Sequence, residues 1–289
     1  MRPLPRFRVH RPKSLDEALK LLATLEKAKP IAGGTDLIPL MREVEVEVEH
    51  LIDLGGIGEL RFVEEGDGYI RIGATTTLSD LVDSTLIASK APALWEAASS
   101  MGSVQIRNRG TIGGNLCNAS PAADLAPPLI ALGAEAEIRS IDEARWIPVE
   151  EVFAGPKVNS LAGDELLTSV RFKIPPRGAG SAFEKIGRRR GMTLALVNAA
   201  AYIELEDETC RSARIALGAV AEKPLRLREA EGRLMGERVS EELIEEVSKL
   251  CSKLVRPIDD VRASAWYRRE MSRVLSRKAL LRAWRRCEV

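Results

Sequence analysis

Thr111-Ile112-Gly113-Gly114-Asn115 opens the stretch that decides how this 289-residue chain is read, and it runs on through Leu116-Cys117-Asn118 to Asp124. Adjacent glycines lack Cβ atoms and admit positive φ, so main-chain N–H groups can face a ligand at short range. A row of such groups makes a concave anion site suited to phosphate. The Thr111 hydroxyl adds a donor, and the Asn115 amide adds a donor and an acceptor. Asp124 offers an acceptor for a ribose hydroxyl or a ring N–H. The same residues also suit a tight turn between packed elements.

A second stretch repeats the pattern. Ala32-Gly33-Gly34-Thr35-Asp36 follows the short apolar run Pro30-Ile31 and precedes Leu37 to Arg42. That is a strand, a glycine turn and the start of a helix, whose N-terminus favours negative charge. A diphosphate needs donors from more than one side, and two such loops would clamp it. Neither loop is a common nucleotide motif. No G-x-G-x-x-G opens a helix and no G-x-x-x-x-G-K-[ST] occurs. Gly55-Gly56-Ile57-Gly58 has the wrong spacing and reads as a turn.

Around these loops the patterning mixes helices and strands. Ser14-Leu15-Asp16-Glu17 has the form of a capping box opening a helix with Leu15, Leu19 and Leu22 on one face. The alternation E-V-E-V-E-V-E over 43–49 predicts a strand or sheet edge. Leu51 to Leu54, Tyr69 to Gly73, Glu135 to Arg139 and Val170 to Ile174 read as strands, and 92–101 and 124–132 as helices. Thr77 caps another helix. Residues 175–180, P-P-R-G-A-G, are the best linker candidate. Beyond them come two small-residue strands, 194–205 and 214–220, and helices near 240–254 and 264–286. The last helix is basic, with Tyr267, Met271, Val274 and Leu275 expected on its packed face.

Composition narrows the function. The 43 basic and 42 acidic residues leave a net charge of +1, so no overall field recruits nucleic acid or a membrane. No apolar run reaches the roughly 18 residues of a membrane span, and the N-terminus M-R-P-L-P-R has no apolar signal core. Two histidines, His10 and His50, leave little material for a histidine triad or zinc site. Cys117, Cys210, Cys251 and Cys287 form no C-x-x-C pair, so a clustered-thiolate metal site is not expected and a reducing, cytoplasmic setting is. Redox chemistry in such a chain falls to a bound organic cofactor. Cys117 is expected as a small buried hydrophobe. Arg107 and Arg109 suit either phosphate or acidic neighbours. Arg188-Arg189-Arg190 suits a solvated turn or a docking patch.

The pair A-G-G-T-D-L-I-P-L-M-R (32–42) and T-I-G-G-N-L-C-N-A-S-P-A-A-D-L-A-P-P-L-I-A-L-G-A (111–134) resembles the FAD-binding medium subunits of molybdenum hydroxylases, such as carbon monoxide dehydrogenase flavoproteins and xanthine dehydrogenase flavin domains. The resemblance extends to 7–18, 163–175 and 267–280. It implies an α+β fold of the vanillyl-alcohol-oxidase-like (PCMH-type) class. An FAD-binding domain would span 1–176, with subdomains about 1–57 and 58–176, followed by an α+β C-terminal domain over 181–286. Ala32, Gly33, Gly34, Thr35 and Asp36 with Thr111, Ile112, Gly113, Gly114 and Asn115 would wrap the FAD diphosphate. Asp124 would lie by the ribityl–flavin region, Leu167 would touch the flavin or adenine, and Lys185 would lie near the flavin.

The resemblance assigns no catalytic side chain and no metal. It implies a large molybdopterin-binding subunit and a small [2Fe–2S] subunit as partners, in a dimer of heterotrimers. Electrons would pass from the clusters through FAD to a quinone, NAD or another acceptor. The chain departs from its relatives at Thr35-Asp36, where histidine and serine are frequent, and at Gly191-Met192-Thr193-Leu194, where many carry G-D-Y-A. It also lacks the cysteine-rich insertion of some relatives. A stand-alone FAD oxidoreductase and an assembly subunit with a decayed flavin site are the competing readings.

Overall fold

The computed structural model describes residues 3–43, 47–189 and 191–287. The N-terminal unit is a parallel three-stranded sheet in the order β1 (Arg8–His10), β3 (His50–Asp53), β2 (Ala28–Ile31). Helix α1 (Leu15–Thr24) crosses over between β1 and β2. The Ser14 hydroxyl accepts from the Glu17 N–H at 3.2 Å, while the Glu17 carboxylate takes the Lys13 N–H and not that of Ser14, so the expected capping box closes one residue early. Leu15, Ala18, Leu19 and Leu22 pack on Ile52, Leu54, Ile57 and Leu60. Helix α2 (Leu37–Glu43) follows the first glycine turn.

The 43–49 alternation is not a strand where it is described. Glu43 ends α2, residues 47–49 lie outside any strand, and 44–46 fall outside the described residues. Val48 is buried with Met41 and Leu51, so its apolar side anchors a connection.

The second unit is an antiparallel five-stranded sheet. Its order is β4 (Val63–Gly66), β5 (Tyr69–Gly73), β10 (Leu166–Lys173), β6 (Glu135–Arg139), β7 (Ala144–Pro148). Between β5 and β6 run six short helices: α3 (Leu78–Asp83), α4 (Thr85–Lys90), α5 (Pro92–Ser100), α6 (Val104–Arg107), α7 (Ile112–Cys117) and α8 (Ala126–Ala131). They cover one face of the sheet, with Leu78, Leu94, Ile112, Leu116 and Leu129 against Ile70, Ile72, Ile138, Val170 and Phe172. A hairpin of β8 (Phe153–Gly155) and β9 (Val158–Asn159) leads into β10.

The C-terminal part is an antiparallel meander of β11 (Ala179–Ile186), β12 (Val197–Glu206), β13 (Thr209–Gly218) and β14 (Leu225–Arg226). Helices α9 (Arg228–Gly232), α10 (Glu241–Leu254) and α11 (Ala265–Cys287) follow. Side chains alternate across a strand, and β12 uses both faces. Val197, Ala199, Ala201 and Ile203 pack with Ile244, Val247, Leu275 and Ala279, whereas Ala200 and Tyr202 join the core of the preceding sheet and its helices. A Cβ on Gly180 would meet the Ala283 carbonyl oxygen at 2.1 Å, so α11 lies almost on the β11 backbone.

Of the expected face of α11, Tyr267, Met271, Val274 and Leu275, Leu275 is buried and Met271 packs partly on the core, but most of the buried face lies elsewhere. Arg268, Ser272, Ser276, Ala279 and Ala283 join Leu275 there, because close approach to the sheet selects small residues. The expected linker shrinks to 174–178, since β11 starts at Ala179 and the Gly178 carbonyl accepts from Leu205. No helix among the described residues is long and apolar enough to cross a membrane.

Candidate functional site

The two glycine segments meet. A Cβ on Gly33 would fall 1.9 Å from the Arg109 carbonyl oxygen, and Thr35 Oγ1 lies 3.7 Å from where a Gly110 Cβ would be. Asn118 at the end of α7 donates to Asp36 Oδ1 at 2.9 Å, and Lys157 donates to Asn118 Oδ1 at 3.2 Å. Gly34 has φ +72°, which glycine adopts freely and which turns the chain into α2 with Ile31 and Ile38 beneath it.

The loops differ in what they offer. Among the described residues, the N–H groups of Gly33, Gly34, Thr35 and Asp36 have no acceptor. They lie at the start of α2, where partial positive charge gathers. The second segment is a helix start rather than an open turn. Thr111 is the N-cap of α7, and its hydroxyl accepts from Gly114 at 3.1 Å. Ile112 donates to Thr76, Gly113 to Ala74 and Asn115 to the Thr111 carbonyl. The expected row of free donors at 112–115 is therefore used up inside the protein. Gly113 is needed because a Cβ would strike Ala74 at 2.8 Å. What remains open there is the Thr111 N–H, which has no acceptor among the described residues. Asn115 is engaged too: its side-chain oxygen accepts from Leu125 at 3.3 Å and its amide faces Met101 Sδ.

Asp124 and Lys185 lie at the seam with the C-terminal sheet. Lys185 Nζ is 2.5 Å from Asp124 Oδ2, and Asn198 donates to Asp124 Oδ1 at 2.8 Å. Burial pushes the Asp124 carboxyl above the usual carboxylate range, and the Lys185 ammonium and Asn198 amide pull it back only in part. Asn198 faces Gly218 across the ladder, where a Cβ would be 2.3 Å from Asn198 Oδ1; that oxygen is buried with no partner among the described residues. Ala219 donates to the Pro121 carbonyl at 2.7 Å beside it. Asn198 has no local motif, so sequence reading missed it; Asn118 was inside the quoted stretch but carried no assignment.

Leu167, on β10, is enclosed in the core with Ile112 and Leu116. Arg107 donates to the Met101 carbonyl at 3.1 Å. Cys117 shows part of its surface, but its thiol is enclosed and burial pushes it up to about 12, which keeps it protonated and inert. Two clefts on the C-terminal domain, one lined by Glu206, Asp207 and Arg211 and the other by Leu205, Arg238 and Trp284, include none of the expected cofactor residues. No group of three or more His, Cys, Asp or Glu suited to a metal ion occurs among the described residues.

Comparison with known proteins matches this architecture along the chain. Residues 5–176 match the family described as FAD binding domain in molybdopterin dehydrogenase, and 181–283 match the CO dehydrogenase flavoprotein C-terminal domain. The chain is 36% identical to the carbon monoxide dehydrogenase medium chain of Afipia carboxidovorans, over 96% of each protein. It is 33% identical to the glyceraldehyde dehydrogenase medium chain of Sulfolobus acidocaldarius, covering 95% of this chain and 97% of that protein. Among solved structures, a Cu,Mo-CO dehydrogenase superposes with TM-score 0.93 at 35% identity, over 98% of this chain and 99% of that one. Quinoline 2-oxidoreductase from Pseudomonas putida superposes with TM-score 0.92 at 29% identity, over 99% and 100%. Matched by the two family models along nearly its whole length, the chain belongs to the FAD-binding flavoprotein family of the molybdopterin dehydrogenases.

Proposed function

We propose that this chain is the FAD-carrying subunit of a cytoplasmic molybdenum-dependent hydroxylase, working with a large molybdopterin-binding subunit and a small [2Fe–2S] subunit in a dimer of heterotrimers. The observation that carries the reading is the contact of Gly33 with Arg109, which sets the acceptor-free N–H groups of 33–36 beside that of Thr111. Five such donors around one junction suit an anion with oxygens on several sides, and a diphosphate is one. FAD, when bound, supplies a relay that takes electrons from the partner's clusters and gives them to an external acceptor.

This chain's residues bind and orient. Ala32 to Asp36 and Thr111 hold the diphosphate, while Ile112, Gly113, Gly114 and Asn115 form the rigid wall behind it. Asp36 is held by Asn118, and Asn118 by Lys157, so the first loop is braced. The Asp124–Lys185–Asn198 cluster faces the ring system from the domain seam, with Leu167 as an apolar backing. No side chain here is asked to act as nucleophile or base.

The test is to co-express the chain with its neighbouring subunits, purify the assembly, record its visible spectrum and identify the released cofactor. Stoichiometric FAD is expected. An assembly without flavin ends the proposal, and turnover of a small reductant by the isolated chain favours the stand-alone alternative.

A further inference from the structure

Lys157 and Ala119 both sit in the left-handed region, at φ +63° and +47°, and the Lys157 N–H donates to the Ala119 carbonyl at 2.9 Å. A residue with a Cβ is strained there, and such strain persists only where the surroundings over-determine the backbone. Here those surroundings are the turn of the β8–β9 hairpin and the end of α7. Asn159 Nδ2 donates to the Cys117 carbonyl at 2.8 Å, so the hairpin supplies donors to two carbonyls where α7 ends. Lys223, between β13 and β14, donates to the Phe153 carbonyl at 3.1 Å, and Phe153 is buried in the core at the start of the hairpin.

This fixed turn presents an ammonium. Lys157 Nζ donates to Asn118 Oδ1 at 3.2 Å, and Asn118 Nδ2 donates to Asp36 Oδ1 at 2.9 Å. The two ends dictate which way the amide faces. An ammonium only donates and a carboxylate only accepts, so Asn118 turns its oxygen to Lys157 and its nitrogen to Asp36. Reversed, the amide would set donor against donor and acceptor against acceptor. Lys157 thereby orients the group that holds Asp36.

Asp36 needs holding because of where its charge sits. It immediately precedes α2, and aspartate at such a position is a favoured helix cap that takes N–H groups of the first turn. A carboxylate left free there would face the same acceptor-free donors that suit an anion, and would repel that anion. Among the described residues the Asp36 side chain accepts from no N–H of its own loop or helix; it is drawn aside onto Asn118.

We infer, resting on the FAD-carrying function proposed above, that Lys157 is a positioning residue for the cofactor. Through the Asn118 amide it draws the Asp36 carboxylate off the start of α2, and so leaves the N–H groups of the first glycine loop to the diphosphate. The β8–β9 hairpin, which lies outside both glycine segments, is thereby part of the cofactor site. The strained backbone at Lys157 and Ala119 is what places the ammonium within reach of Asn118.

The test uses the co-expressed assembly, stripped of flavin and titrated with FAD, as Lys157→Met, Asp36→Ala and the double variant. Lys157→Met is expected to raise the FAD Kd about fivefold, with the midpoint of thermal unfolding unchanged. In the Asp36→Ala background no carboxylate remains to be drawn aside, and there Lys157→Met is expected to change Kd by less than about twofold. Lys157→Gly removes the same ammonium and suits φ +63°, so it is expected to weaken FAD as Lys157→Met does without lowering the unfolding midpoint. A Kd equal to wild type in both Lys157 variants, or equal losses in the two position-36 backgrounds, overturns the inference. So does a loss in Lys157→Gly that comes with a lowered unfolding midpoint, which marks a structural role. Wild type that binds FAD while both Lys157 variants match it defeats the positioning role alone, whereas wild type without FAD defeats the proposed function.

Discussion

Gly33 packs so closely on Arg109 that a Cβ at position 33 would sit 1.9 Å from the Arg109 carbonyl oxygen and 2.6 Å from its carbon. Both atoms are main chain, so no rotamer change relieves the clash. The contact makes one site of two loops that are far apart in sequence.

Gly33→Ala is therefore expected to drive the loops apart, at a cost of about 3 kcal/mol, and to lower FAD content at least tenfold. Gly58→Ala, where nothing lies within 4 Å of the added methyl, is the control and leaves both unchanged. Cofactor released per purified chain and thermal unfolding check the pair. Wild-type FAD content in Gly33→Ala would show that the junction does not hold the cofactor.

Lys185→Met removes the cation from a carboxylate that burial already disfavours. A carboxyl whose native pKa is raised keeps its proton longer in the folded chain than in the unfolded one. Its contribution to stability is thus greatest below the ordinary carboxylate pKa and is lost as pH rises through the native value. Without Lys185 that native value climbs further. The expected cost is about 3–5 kcal/mol at neutral pH, smaller in mild acid, and partly relieved by adding Asp124→Asn. Denaturant unfolding across pH checks this, and a cost that is flat or grows in acid would contradict it.

How much of this was legible beforehand depends on distance along the chain. The glycine loops, Thr77 as a cap and the Tyr69–Gly73 strand are local patterns, and the fold keeps them. The E-V-E-V alternation misled because period two marks alternation of environment, which a connection can satisfy too: Val48, where the stretch is described, is buried outside any strand. The free donors expected at 112–115 failed for a nonlocal reason: Ala74 and Thr76 supply the acceptors, from a turn nearly forty residues earlier. The same holds for Asn198, 74 residues from Asp124, and for α11, whose buried face is chosen by how near β11 lies and not by which residues are most apolar.

Glu96, on α5, binds the domains together. Its carboxylate accepts from the Phe183 N–H at 2.9 Å and from Arg286 at 2.6 Å, and it pairs with Arg282. Glu96→Ala leaves a main-chain donor and two guanidinium groups without their shared acceptor. A loss of about 3 kcal/mol is expected, with a transition that broadens as the C-terminal part loosens first; hydrogen exchange at β11 is the readout. Protection of β11 equal to wild type would show that the apolar seam suffices.

Asp260 is the opposite electrostatic case to Asp124. Burial alone would raise its carboxyl, but the Arg262 N–H and guanidinium, the Ala263 N–H and the Arg268 guanidinium outweigh that and hold it well below the usual range. A lowered native pKa stabilises the fold above the ordinary carboxylate pKa, and the contribution is lost as pH falls through the native value. Asp260→Asn is therefore expected to cost about 2–3 kcal/mol at neutral pH, with the gap to wild type closing in strong acid, where both side chains are neutral. Because Arg268 is buried and bridges Leu196, Ala219 and Asp260, the variant also frees the 258–266 segment, which proteolysis would detect. A neutral-pH cost that persists undiminished in strong acid would place the effect in packing and not in the carboxylate's charge.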